Sequence, residues 1–298
     1  MSNGLSSLVE NERDLWYTIG GLSPRRSMKQ TVIHIQSGQY RMRAVLLTPK
    51  VKPHQAPAIL WIHGGGYMFG WAGMVRYSSV WEFASLHGAV VLSPGYRLTS
   101  QAPYPAAMDD CYAALTYLWD HADEWGVDRD RILVAGESAG GGLAVAVCLR
   151  ARDEGTIRIA MQMPLYPMLD CEDTPSSKDN HGKVWNTWWN HLGWRRYLGD
   201  LYGQKDVPCY ASPAKADDYC GLPPCYTYVC EGEPFYCETL AYADNLRQAG
   251  VAAKVDVFSG DVHAFDLFRP WRAEVKAAKA NRLRAMERIL IEGQTDFE

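Results

Sequence analysis

The pentapeptide Gly136-Glu137-Ser138-Ala139-Gly140 is the part of this chain best fitted for covalent chemistry. A serine hydroxyl attacks a carbonyl only when it stands clear of the backbone beside a base, and a sharp strand-to-helix turn achieves that by holding the serine in a strained conformation. Such a turn has no room for side chains two residues either side, which is where Gly136 and Gly140 stand. The apolar run 132–135 leads into it as a strand, and 141–147 follows as the start of a helix whose first amide, at Ala139, is aimed at an oxyanion by the helix dipole. Upstream, the strand-like Ala58 to Ile62 runs straight into His63-Gly64-Gly65-Gly66-Tyr67, a loop whose bare backbone N–H groups could face the same oxyanion. Downstream, Ala253 to Phe258 ends in Ser259-Gly260-Asp261-Val262-His263-Ala264-Phe265, placing His263 on a loop at the carboxyl end of a strand. Of the eight histidines only this one has the setting of a general base acting on Ser138.

Together these motifs resemble the hormone-sensitive-lipase-like esterases, bacterial carboxylesterases of the α/β-hydrolase fold marked by an H-G-G-G-aromatic loop and a G-[DE]-S-A-G-G elbow. The likeness extends over roughly Ala58 to Phe268 and takes in Tyr96-Arg97-Leu98, the stretch Tyr104 to Asp110, Ala211-Ser212-Pro213 and Leu222-Pro223-Pro224. It implies Ser138 as nucleophile, His263 as base, Gly65 and Gly66 as further oxyanion donors beside Ala139, and His63 as a loop-shaping residue. It also implies an acid after the seventh strand, where members usually carry Asp-Pro and this chain reads Glu231-Gly232-Glu233-Pro234-Phe235. Glu233 is the candidate, with Pro234 suited to the first position of a helix. Glu238 and Asp266 stay open as rivals. The chain order Ser138, Glu233, His263 is that of α/β-hydrolases.

Net charge and cysteine usage narrow the partners. A formal charge of −4 on 298 residues, with no clustered basic face, argues against nucleic acid or an anionic membrane. Charged residues appear in the N-terminal stretch before any apolar run forms, so no secretory segment is expected and the reading is a cytoplasmic protein. Nothing approaches the length of a membrane span. The eight cysteines fall in apolar patterns or lack the paired spacing of a zinc site, so neither disulfides, a metal nor a cofactor is expected. The partner is a small-molecule ester, with a homodimer left open.

Eight strands are expected, at 31–35, 41–47, 58–62, 89–92, 131–135, 159–163, 225–230 and 253–258, the first two forming an antiparallel hairpin. Helices between most of them, at 77–87, 105–121, 139–153, 236–249 and 270–291, give one α/β domain with a largely parallel, doubly covered sheet. The tryptophan-rich stretch from Asp170 to Gly203 breaks the alternation. Its spacing 185, 188, 189, 192 sets Trp, Trp, Trp and Leu on one helical face, and by resemblance residues 1–28 and 173–203 form a small helical cap over the site. Trp188 and Trp189, with Tyr67 and Met68 after the glycine loop, are the pocket candidates.

The expected function is hydrolysis of small or short-acyl carboxylic esters through an acyl-enzyme. Two rivals stand beside it: deacetylation of acetylated sugars or xylan fragments, and, from a different class, a non-catalytic receptor for small ligands on a hydrolase fold.

Overall fold

The computed structural model describes residues 27–297 apart from Ser79 and Pro270. Eight strands, the number expected, form one sheet in the order β1-β2-β4-β3-β5-β6-β7-β8. They are β1 (Met28–Ser37), β2 (Tyr40–Pro49), β3 (Ala56–Ile62), β4 (Val90–Pro94), β5 (Val127–Glu137), β6 (Met161–Leu165), β7 (Cys225–Cys230) and β8 (Ala253–Phe258). Only the β1–β2 and β2–β4 pairs are antiparallel. The expected N-terminal cap element lies outside the described residues except for Ser27 and Met28, and Met28 opens β1.

Every residue of β3, β4, β6 and β7 is buried, as expected of parallel strands covered on both faces. Side chains alternate between two cores: Ala58, Leu60 and Ile62 pack on one side, Ile59 and Trp61 on the other. The first core is covered by helices α2 (Ala106–Asp120), α3 (Ala139–Glu154) and α5 (Tyr236–Gln248), the second by α1 (Val80–His87) and α6 (Ala273–Leu290). A further helix, α4 (Thr187–Leu198), sits in the tryptophan-rich stretch.

The junction between β6 and β7 is sparse. Pro164 has no N–H to donate, so the ladder there holds one paired position, Gln162 with Cys225. Two side-chain bonds and a backbone bond beyond Pro164 make up the difference. Gln162 Nε2 donates to Pro223 O at 2.9 Å, Thr227 Oγ1 donates to Pro164 O, and Tyr166 N reaches Tyr228 O at 2.9 Å.

Candidate active site

Ser138 follows β5 directly and precedes the first residue of α3, with φ 55° and ψ −121°. A non-glycine residue rarely occupies that region, and the fold holds it there by donating Ser138 N to Leu165 O at 3.0 Å and accepting Met168 N and Gly142 N on Ser138 O, each at 3.0 Å. The flanking glycines are demanded by close approach. A Cβ on Gly136 would lie 2.2 Å from Gly140 O, and one on Gly140 would lie 2.3 Å from both Ile62 O and His63 O.

The loops leaving β7 and β8 converge on this serine. His263 Nε2 lies 2.8 Å from Ser138 Oγ, while His263 Nδ1 is hydrogen-bonded to Glu233 Oε2. Glu233 Oε1 accepts the Cys230 N–H at 2.7 Å, so both carboxylate oxygens are engaged and the side chain is fully buried. Aromatic rings confine the imidazole: Phe235 and Tyr166 meet it edge-to-face at 5.0 and 5.1 Å, and Trp185 is tilted over it at 6.4 Å. The rival acids sit elsewhere. Glu238 accepts Leu169 N at 2.6 Å and Asp170 N at 3.3 Å, and burial pushes its carboxyl well above the usual range. Asp266 accepts the hydroxyls of Tyr166 and Tyr228.

The glycine loop wraps the nucleophile. A Cβ on Gly64 would stand 3.3 Å from Ser138 Cβ, and Gly65 and Gly66 take φ +119° and +59°. The Ala139 amide is one of those a helix N-terminus leaves without an intrahelical acceptor. His63 shapes the loop from below: its ring stacks on Tyr96 at 4.2 Å, its Nδ1 donates to Gly64 O at 2.9 Å, and its Nε2 is buried without a partner among the described residues. Burial lowers its pKa to about 4, the Gly64 hydrogen bond opposing, so it is neutral at ordinary pH.

The pocket candidates are placed differently from expectation. Tyr67 and Met68 belong to the core; Tyr67 stacks on Tyr197 at 3.8 Å and its hydroxyl donates to Met168 O. Trp188 is 63% exposed, and Trp189 is half-buried against Phe69 and Trp185. The expected helical face of Trp185, Trp188, Trp189 and Leu192 is corrected. Asn186 caps α4 by accepting Trp189 N at 3.1 Å, so Trp185 precedes the helix, and the buried face is Asn190, Gly193, Trp194, Tyr197 and Leu198. Trp185 is the ring that reaches the site, for a Cβ on Gly66 would lie 2.0 Å from its Cη2. The Asn186 cap was the signal in the sequence that could have set it apart from the helix.

A family model described as alpha/beta hydrolase fold matches residues 59–267, a range that starts within β3 and takes in β4 to β8 and the relay residues just described. The chain belongs to the α/β-hydrolase family. Among its relatives, esterase LipI of Mycobacterium tuberculosis is 33% identical over 217 residues, 71% of this chain and 66% of that protein. Carboxylesterase NlhH of the same organism is 30% identical over 250 residues, 81% of this chain and 76% of that protein. The solved structure of a bacterial heroin esterase superposes with a TM-score of 0.83 at 33% identity, covering 97% of this chain and 92% of that one. The hydrolase therefore groups with the hormone-sensitive-lipase-like carboxylesterases, and carboxylic ester hydrolysis is its reaction class. All eight of its cysteines are free. Among the described residues no cluster of side chains could hold a metal, and no helix is long and apolar enough to cross a membrane.

Proposed function

We propose that this hydrolase cleaves small, short-acyl carboxylic esters through a covalent acyl-enzyme on Ser138. The observation that carries the reading is the relay Ser138 Oγ, His263, Glu233, with Nε2 at 2.8 Å from the hydroxyl and Nδ1 on the carboxylate. An Nδ1–H donated to Glu233 leaves the Nε2 lone pair facing the serine, which is the tautomer a general base needs. Ser138 attacks the ester carbonyl as His263 takes its proton, and His263 then protonates the departing alkoxide. Water, deprotonated by His263, attacks the acyl-serine and releases the acid. Glu233 stays ionised throughout and offsets the imidazolium charge.

Negative charge builds on the carbonyl oxygen where the N–H groups of Gly65, Gly66 and Ala139 converge, at the start of a helix whose dipole favours it. The stretch 173–203 acts as a cap, with Trp185 over Gly66 and His263 limiting the space beside the acyl carbon. Replacing Ser138 with Ala should leave a folded protein whose turnover of p-nitrophenyl acetate falls by ~10⁴ or more. Retention of a tenth of the wild-type rate would remove Ser138 from the mechanism.

A further inference from the structure

Behind the imidazole lies a buried charged cluster that the reaction above does not use. Asp266 comes three residues after His263, on a turn that Ala264 enters at φ 56°. Its Oδ1 accepts the Tyr166 hydroxyl at 3.0 Å and its Oδ2 the Tyr228 hydroxyl at 2.7 Å. Arg282, from α6, lies with Nη1 3.1 Å from the Tyr228 hydroxyl and 3.5 Å from Asp266 Oδ2. Arg282 and Asp266 are 1% and 4% exposed, and desolvating such a pair is costly, so its presence here calls for a reason beyond stability.

The connectivity supplies one. Tyr166 stands just past β6, on the nucleophile's side of the sparse junction, and Tyr228 is in β7, on the acid's side. One carboxylate on the loop that bears the base therefore clasps both sides. Tyr166 holds a positive φ of 35°, an unfavourable backbone for a large residue, and its ring is the edge-to-face wall of His263 at 5.1 Å.

We propose that Asp266 is a positioning residue for His263: through the Tyr166 and Tyr228 hydroxyls, and braced by Arg282, it fixes the imidazole wall and the loop that carries the base. This rests on the serine-esterase reading above. Three further ionisable groups feel the cluster: the Cys230 thiol and the Tyr226 hydroxyl, both pushed up chiefly by burial, and Glu137, from the end of β5. Burial and then the Asp266 charge push its carboxyl up to about 8, with Arg282 opposing, so at neutral pH it holds a proton.

Tyr166→Phe tests the proposal without breaking the buried ion pair, and Asp266→Asn removes the charge while keeping the shape. The p-nitrophenyl acetate burst counts competent active sites in each protein, and kcat is taken per counted site. Tyr166→Phe should lose about tenfold in kcat at an unchanged KM, the scale expected for a sub-ångström displacement of a reacting group. Asp266→Asn should lose kcat similarly, again at an unchanged KM. A merely structural Asp266 would lower the melting temperature and leave kcat per counted site where it is, and that result overturns the proposal. So does wild-type kcat per site in Tyr166→Phe, whatever becomes of Asp266→Asn. Absence of a burst in the wild type together with unchanged turnover in Ser138→Ala would instead overturn the serine-esterase reading and this proposal with it.

Discussion

Gly140→Ala puts the geometry of the elbow to a quantitative test. The new Cβ would sit 2.3 Å from Ile62 O and 2.3 Å from His63 O, and Cβ contacts below 3.0 Å are essentially never seen. The end of β3 must then retreat from the start of α3 by about 0.7 Å, the difference between 3.0 and 2.3. The strain is of the overpacking kind, about 1–3 kcal/mol. Its effect on rate should be larger, because His63 opens the loop that brings Gly65 and Gly66 to Ser138, and displacing a reacting arrangement by ~1 Å costs up to ~10²-fold.

Gly155, at the far end of the same helix, is the control. It has φ +65° with nothing within 4 Å of an added Cβ, so Gly155→Ala should cost only the left-handed backbone penalty of about 1 kcal/mol and leave kcat alone. The assay is kcat for p-nitrophenyl acetate per burst-titrated site, with a thermal melt on each variant. Gly140→Ala with wild-type kcat and an undisturbed melt would refute the close-approach argument, and loss of kcat in Gly155→Ala would show that any glycine change in α3 reaches the site.

Glu233→Gln should lower kcat by ~10²-fold or more, because a neutral amide stabilises neither the required tautomer nor the imidazolium; near-normal turnover there, with collapse in Glu238→Gln or Asp266→Asn, would reassign the acid. Acetyl to butyryl esters should be preferred to acyl chains of eight or more carbons, given Trp185 packed over Gly66, and a higher kcat/KM for octanoate than for butyrate would show that the acyl chain takes another route. Glu137 has its pKa raised from 4.5 to about 8, chiefly by burial. The folded state keeps a proton that the unfolded chain has lost, so this stability is complete below about 4.5 and drains away as pH climbs to about 8, at up to ~1.4 kcal/mol per unit. In Glu137→Gln, urea midpoints should fall less steeply with pH across that window; parallel curves would show that the carboxyl does not titrate as argued.

Strand positions were legible because both kinds of strand leave a readable pattern. Buried parallel strands such as Ala56–Ile62 read as unbroken apolar runs, and the β1–β2 hairpin turns at Gly38 and Gln39, one residue later than expected. Boundaries were less so. The strand expected at 131–135 extends over Val127–Glu137 because Val127 pairs with Ala56 beyond a bulge, a long-range contact invisible to local pattern. Tyr77 ends a 3₁₀ turn, Ala72–Tyr77, and does not open α1, and α6 begins at Ala273 and not at Pro270. At the site, Ser138, Glu233 and His263 could be picked out because each follows a strand on a glycine-bearing turn. The contacts of Trp185 and Tyr166 with His263, and of Asp266 with Tyr166 and Tyr228, were not legible, since the packing of separate segments makes them.

The sparse junction between β6 and β7 divides the sheet into two blocks, and the relay straddles it: Ser138 belongs to one block, Glu233 and His263 to the other. Widening of that boundary by an ångström takes Nε2 out of reach of Oγ, long before the two apolar cores and α6, which run across it, come apart. Heated samples should therefore fall silent in turnover at a temperature below the one at which their circular dichroism collapses, and should recover when cooled from within that interval. Pro164, which lies outside the relay, thus bears on it through the single amide hydrogen it lacks.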